Sequence, residues 1–316
     1  MGTEREPMFD ELPRLAGSGY RHSWGVWGAG DQLGTLNRLT PRVVAAAAGC
    51  VRTGERIGVS LPLDEPSPPF FGRKPMAHRL YPMGDLGWDD WLDGFYLQCS
   101  SQWDGLRHIR STDGFYGGWQ GDPSADRGPL GIHHWARPGI IGRGVLVDLA
   151  AGEEDGYDAF TARRFTVADI EAALAAQGVG IRRGDILCVR TGWMDKYLTL
   201  GRQARAELAV ALVNPRDYTC AGLSGSEEIS RFLWDSGVAA IAADNPAVET
   251  VPADPAIGFL HGRLIPSLGF AIGELFDFSA LAAACHADRR YDFLFTSVPL
   301  NVTGGVGSPA NAVAVR

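Results

Sequence analysis

The 316 residues combine 45% hydrophobic with 21% charged side chains, a balance in which burial can offset chain entropy, so a largely disordered chain is excluded. Acidic residues outnumber basic ones by 37 to 29, and the net charge of −8 repels polyanions, which argues against a general nucleic-acid binder. The five Cys are scattered without a CxxC spacing, as expected of reduced thiols, and no run approaches the roughly 18 apolar residues of a membrane span.

The opening segment, MGTEREPMFDELPRL, is charged and lacks the apolar stretch of a signal peptide, so the expected compartment is the cytoplasm. From Trp24 to Pro41, WGVWGAGDQLGTLNRLTP mixes Gly with large aromatics, which reads as an irregular arm over residues 1–40 packed on the body. Thr40 followed by Pro41 starts a helix that runs to about Val51, since a capping hydroxyl precedes a residue pre-set for the first turn. A short strand at Ile57–Leu61 and a Pro-rich loop from Pro62 to Pro82, either a lid or a long surface connection, come next. Phe95-Tyr96-Leu97 reads like the end of a strand leading into QCSSQWDGLRH at 98–108, and STDGFYGGWQGDPSADRGPLG beyond it is a Gly-rich loop. Strands are expected at Gly144–Leu149, Asp185–Arg190, Val238–Ala243 and Asp292–Ser297. Thr166 with Asp169 resembles a capping box, Val167, Ile170 and Leu174 follow at helical spacing, and Gly178 closes that helix. Further helices fall near Glu227–Asp235 and Ser279–Cys285, so the chain is of the α/β or α+β kind. No linker divides it, and residues 41–316 are expected to form a single catalytic domain.

Within 98–108, Asp104 and His108 lie four residues apart, which puts them on one face of a helical turn or on one side of a strand followed by a bend. Such a pair can perform acid–base chemistry, although on its own it is more often a structural hydrogen bond. Trp103, Phe115, Tyr116 and Trp119 offer an apolar wall for a ring-shaped substrate, and Arg107 offers either a carboxylate clamp or a surface ion pair. His133 and His134 point to opposite sides if the chain is extended there, so they read as a surface or loop pair. The Gly304-Gly305-Val306-Gly307 run lacks the Lys of a phosphate loop and reads as a tight turn, while Cys99 and Cys220 read as buried thiols.

SQWDGLRH, WGVWGAGDQLGTLNRLTP, GRGVLVDLA, RRGDILCVRTGW, AGLSGSEEISRFLWDSGVAAIAADNPAVE and the terminal FLFTSVPLNVTGGVGSPANAVAV span nearly the whole chain. Together they resemble the cyclase family that includes bacterial kynurenine formamidase and isatin hydrolase, in particular a branch of putative cyclases with a SQWDGLRH-type motif. The resemblance implies an α/β fold in which a mixed β-sheet closes toward a barrel with flanking helices, the cyclase-like swivelling β/β/α fold. It also implies homo-oligomers, dimeric or tetrameric, whose neighbouring subunits can contribute to the active site. The chemistry it implies is hydrolysis of an amide, lactam or lactone-type bond by a metal-bound water.

Aligned with the family motif His-x-x-x-His-x-Asp-x-x-x-His, this chain keeps Asp104 and His108 but carries Gln98 and Gln102 at the first two His positions. His261 and Glu274 stand where the family has a His and a Glu that approach the pocket, and Glu228 best matches a further downstream Glu. Losing two imidazoles should weaken transition-metal binding, because Gln offers only a neutral carbonyl oxygen. Asp104 and Glu228 are then the expected ligands of any divalent cation, Mn, Zn or Mg, and a site without metal stays open. In that second case Asp104 and His108 are catalytic with Gln102, and the amide NH₂ groups of Gln98 and Gln102 bind a carbonyl or its oxyanion. The expected substrate-binding set is Gln98, Trp103, Arg107, Phe115, Tyr116, Trp119 and His261. The expected partner is a small cyclic or carbonyl-containing metabolite, hydrolysed by the enzyme. A metal-independent cyclase or dehydratase of specialised metabolism and an inactive ligand-binding relative are the alternatives.

Overall fold

The computed structural model describes residues 5–154, 156–214 and 218–316, so Met1–Glu4 of the opening segment lie outside the described residues. In chain order the strands are β1 (Arg56–Gly58), β2 (Ala77–Pro82), β3 (Trp88–Asp93), β4 (Gln102–Asp104), β5 (Ile140–Asp148), β6 (Arg164–Phe165), β7 (Ile186–Arg190), β8 (Gly222–Leu223), β9 (Ala240–Ala243), β10 (Ala271–Glu274), β11 (Asp292–Ser297), β12 (Gly307–Pro309) and β13 (Ala312–Val315). The α-helices are α1 (Pro41–Ala47), α2 (His133–Ala136), α3 (Val167–Gln177), α4 (Trp193–Thr199), α5 (Arg202–Ala211), α6 (Glu227–Asp235), α7 (Leu260–Gly262) and α8 (Ser279–Asp288).

Nine strands form one sheet in the order β1-β13-β11-β5-β7-β9-β10-β4-β12. The middle of it, β5-β7-β9-β10, is parallel, and each connection between successive members passes through helix. Parallel strands are covered on both faces, which is why IIGRGVLVD, ILCVR and AIAA are near-continuous apolar runs rather than alternating ones. Alternation still sorts them into two cores. Leu146, Cys188 and Ala242 face a cluster with Trp103, Phe276 and Leu281 of α8, whereas Val147, Leu187 and Ile241 face Ile170 of α3 and Ile229 and Leu233 of α6.

The two ends of the sheet are drawn together by one short connection. β12 pairs with β4 at one edge and β13 pairs with β1 and β11 near the other, yet only Ala310 and Asn311 separate β12 from β13. A bridge between Ser60 and Phe276 and a bond from Ala312 N to Ser60 Oγ at 2.9 Å tie the same ends, so the sheet curls into a half-barrel flanked by helices, as the resemblance implies.

Local chemistry sets the helix ends. Thr40 Oγ1 accepts from Val43 N at 3.3 Å ahead of Pro41, Asp169 Oδ2 accepts from Thr166 N at 2.6 Å, and Gly178 ends α3 with φ of 66°. The N-terminal segment crosses the helical face. Phe9 and Leu12 enter the second core, and the buried Arg38 donates to Val238 O at 2.6 Å, pairs with Glu6 at 2.8 Å and lies 4.4 Å from the Trp234 ring.

Two sequence expectations change. Residues 77–82 are not loop but half of an exposed hairpin with β3, and neither of its faces is covered, so it lacks the apolar period that marks a half-buried strand. Phe95-Tyr96-Leu97 is not a strand end: Cys99 N bonds to Tyr96 O at 3.1 Å in a turn, and the strand begins at Gln102. Among the described residues no helix is long and apolar enough to cross a membrane.

Candidate active site

β4 lies between β10 and β12 and is antiparallel to both, with Gln102 opposite Glu274 and Asp104 opposite Ile272. Because side chains alternate along a strand, Gln102 and Asp104 share one face with Glu274, and Trp103 takes the other. The Gly-rich run 304–307 packs directly on this strand. A Cβ on Gly105 would stand 2.6 Å from Val306 O, and one on Gly307 would stand 2.7 Å from Trp103 O, so these glycines permit close backbone approach rather than phosphate binding.

Around Asp104 the polar groups form one connected network. Gln98 Nε2 donates to Asp104 Oδ1 and lies 3.1 Å from His108 Nδ1, which assigns the ring its Nε2–H tautomer. His108 Nε2 is 3.7 Å and His261 Nε2 is 3.8 Å from Asp104 Oδ2. His261 Nδ1 is bonded to Glu249 Oε1 at 2.6 Å, and its Nε2 lies 3.1 Å from Glu274 Oε1. Glu249 Oε2 also accepts from Leu260 N at 2.6 Å, and Gln102 Nε2 donates to Glu274 Oε2 at 2.8 Å. Ligand atoms of Asp104, His261 and Glu274 lie within 4.8 Å of one another, all buried. Asp104 Oδ2 and Gln102 Oε1 are sealed from solvent without a hydrogen-bond partner.

Burial and charge oppose each other here. Burial pushes the Asp104 carboxyl upward, but His108, His261 and the Gln98 amide outweigh it and hold the group below its ordinary value. Burial disfavours a charged His261, yet Asp104, Glu249 and Glu274 keep its pKa well above the ordinary one. Glu274 is raised to about 7, first by burial and then by the charge of Asp104, while burial holds His108 down against the attraction of Asp104. Charge is thus favoured on His261 and disfavoured on the neighbouring His108.

Gln102, His108, Glu249, His261 and Glu274 form the floor of a cavity of about 360 Å³ whose walls include Phe71, Ile109, Tyr218, Val251 and Phe259, with Asp104 buried behind that floor. Its polar residues cluster at the carboxyl ends of parallel strands, where Glu274 closes β10 and Glu249 follows β9, the usual ligand position in such sheets. Phe71, Val248 and Leu275 have φ of 60°, 54° and 57°. For a β-branched Val this is a strained conformation, and each of the three lies in the cavity wall or directly beside a buried site carboxylate.

Of the residues expected from sequence, Gln98, Gln102, Asp104, His108 and His261 come together, joined by Glu274. Gln98 Nε2 is shared between Asp104 Oδ1 and His108 Nδ1, and Gln102 Nε2 donates to Glu274 Oε2. Glu228 is exposed on the first turn of α6, beside the inward Ile229, and does not join Asp104. Trp103 is fully buried on the opposite face, 5.5 Å from Phe276, with Nε1 donating to Ser297 Oγ at 2.8 Å. Arg107 is also buried: it donates to the carbonyls of Pro129, Asp126 and Gly304 and stacks 5.0 Å from Trp119, holding loops rather than a ligand. Tyr116 and Trp119 line a separate glycine-rich concavity with Asp31, and Phe115 packs under Trp119 at 5.3 Å. His133 and His134 stack at 4.0 Å on α2 and bond to Gly304 N and Gly128 O, so they share one side rather than two. All five Cys are buried and unpaired, and burial raises Cys220 to about 12.

A family model described as putative cyclase matches residues 57–250. A crystal structure of a protein described as a novel cyclase is 32% identical, superposes with a TM-score of 0.81, and covers 93% of this chain and 99% of its own. Isatin hydrolase A from Labrenzia aggregata, solved with benzyl benzoate, is 16% identical with a TM-score of 0.57, covering 89% of this chain and 98% of its own. Isatin hydrolase A from Ralstonia solanacearum is 15% identical with a TM-score of 0.59, covering 87% and 97%. At those identities the two hydrolases share the fold. No curated protein matches the chain.

Proposed function

This chain belongs to the putative cyclase family, and from that premise we propose that it is a hydrolase of a C–N (amide or lactam) or lactone-type bond in a small cyclic or carbonyl-containing metabolite. The observation that carries the reading is the convergence of buried Asp104, His261 and Glu274, with Asp104 Oδ2 and Gln102 Oε1 left unpaired between them. Unpaired buried acceptors are costly unless something fills the space, and acceptors alone suit a cation. Two carboxylates, one imidazole and one amide oxygen form a hard to borderline donor set, which fits Mn or Mg better than Zn. When bound, such a cation supplies positive charge against the developing oxyanion and acidifies water.

The chain's own groups prepare that chemistry. Glu249 fixes the His261 ring through Nδ1, directing Nε2 into the site. Gln102 orients Glu274, and Gln98 orients both Asp104 and His108. His108, whose charged form burial disfavours, lines the cavity with Nε2–H placed to donate a hydrogen bond to the oxyanion or the departing nitrogen or oxygen.

One observation favours a second reading, metal-independent acid–base chemistry of the cyclase or dehydratase kind. His261 has both ring nitrogens against carboxylates, so a charged ring already offsets part of the negative charge there. Glu274, raised to about 7, would then be the base.

Metal analysis of the purified protein and turnover of a panel of lactams, N-acyl amides and lactones, with Mn²⁺ and with chelator, tests both. Hydrolysis that needs Mn²⁺ or Mg²⁺ and falls at least a hundredfold in Asp104→Asn and His261→Asn supports the first reading. Full activity in chelator selects the second, and Asp104→Asn turning over within a few-fold of wild type rejects the site.

A further inference from the structure

One cation in the cavity wall lacks an anionic partner. Arg73 forms no ion pair with any described residue, although Glu249 and Glu274 line the same cavity and Asp104 lies buried behind them. His261 makes the close contacts with those carboxylates, and Arg73 acts on Glu274 only through space. The Arg73 guanidinium is held from one side only: Nη1 donates to Gln98 O, and Cζ lies 5.2 Å from the Phe71 ring. Nε and Nη2, which form one planar edge, make no hydrogen bond with any described residue and are not among the atoms sealed from solvent. Phe71 and Gly72 both have left-handed backbone, φ of 60° and 69°, and this double turn brings Phe71 and Arg73 together onto the cavity wall. Strain held at a ligand-facing turn indicates that the surroundings impose the position.

A guanidinium edge with two parallel donors matches a carboxylate, and a wall of Phe71, Tyr218, Val251 and Phe259 matches a flat apolar body. We infer that the cavity takes a small organic anion, a carboxylate carried on a planar ring, with the Nε/Nη2 edge of Arg73 holding the carboxylate. This rests on the cavity being the substrate site of the proposed enzyme. The carboxylate marks one end of the ligand, its ring lies against the apolar wall that includes Phe71 and Phe259, and the scissile bond then lies over His261 and Glu274. Arg73 is a specificity residue here, separate from the groups that perform the reaction.

Binding, rather than turnover, tests the inference, so it can fail or hold independently of the hydrolase reading. Isothermal titration of the intact protein with 2-naphthoate and with 2-naphthamide compares a carboxylate with its neutral isostere on the same ring. The expected result is naphthoate binding at least tenfold tighter than the amide in wild type, the preference vanishing in Arg73→Gln and partly kept in Arg73→Lys, which retains charge without the planar fork. Far-UV circular dichroism of both variants verifies folding. Equal binding of the two probes, no binding of naphthoate, or a preference that survives in Arg73→Gln overturns the inference. If Arg73 acted through its charge alone, Arg73→Lys would keep the full preference for naphthoate, and that result too overturns the inference.

Discussion

Gln102 and Glu274 face each other across the β4–β10 pair, Nε2 to Oε2 at 2.8 Å, and the opposite end of the same amide, Oε1, is buried with no partner. One side chain therefore both holds a carboxylate and keeps a buried oxygen without a partner beside the site. Gln102→Leu removes both functions and leaves Glu274 Oε2 buried without its donor, a loss of about 1–3 kcal/mol. Turnover should fall at least tenfold and Mn²⁺ affinity should weaken in a calorimetric titration. Gln102→His places a softer ligand on the same strand face, so the ratio of Zn²⁺ to Mn²⁺ affinity should rise. An unchanged ratio would show that position 102 does not reach the cation.

Glu249 acts on the site through His261. Its Oε1 accepts from both the backbone N and the Nδ1 of His261, and its Oε2 accepts from Leu260 N. Glu249→Gln keeps the volume but sacrifices the anion, and loss of such a supporting carboxylate costs roughly 10–100-fold in metal affinity or activity. The expected pattern is a lower kcat with little change in KM and weaker Mn²⁺ binding, partly rescued by Glu249→Asp. A KM effect with kcat intact would instead place Glu249 in substrate binding.

The central strands were legible because burial on both faces writes an uninterrupted apolar run, and the helix starts were legible because their caps are local chemistry. Asp104, His108 and the two Gln were legible as one short motif. Glu249 was not, since it joins through tertiary structure, and its available signal was an acidic residue after a buried parallel strand. Arg73 was hidden in a Pro-rich stretch whose fold depends on left-handed residues that sequence does not announce. Trp103 was misread for a different reason. Once Gln102–Asp104 is a strand, period-two alternation sends Trp103 into the core, a step that QWD alone permits but that its neighbourhood to Asp104 obscured.

That core position makes a separable prediction. Trp103 packs between Phe276 and Phe295, and a Cβ on Gly273 would come within 3.0 Å of its ring, so the space is fully committed. Trp103→Ala should destabilise by about 3–5 kcal/mol, measured by urea unfolding. Trp103→Phe should lose the bond to Ser297 and leave a small void, about 1–3 kcal/mol together. Ligand and cation affinities of the folded Trp103→Phe variant should stay within about twofold of wild type, because the ring does not line the cavity. A large binding defect in a variant of near-normal stability would return Trp103 to the substrate site.

Asp244, just past β9, gives the fold its own pH dependence away from the reaction centre. Its carboxylate is fully enclosed and accepts from Thr191 N at 2.7 Å, Thr191 Oγ1 at 2.7 Å and Gly192 N at 2.8 Å. Burial outweighs these donors and raises the group from 3.8 to about 6. In the window between those values the native state retains a proton that the unfolded chain releases, so this residue's contribution to stability falls as pH rises through it. The full difference is about 3 kcal/mol at the usual 1.36 kcal/mol per pK unit. Above about pH 6 both states are ionised and the contribution is constant. Asp244→Asn cannot titrate and sets an NH₂ against one of the three donors, so it should be less stable than wild type at acid pH. Its deficit should shrink as pH rises from about 4 to 7, because only the wild type loses stability from this group. Urea unfolding of both proteins across that range measures the gap, and a gap independent of pH would mean that Asp244 is ionised throughout, with its three donors prevailing over burial.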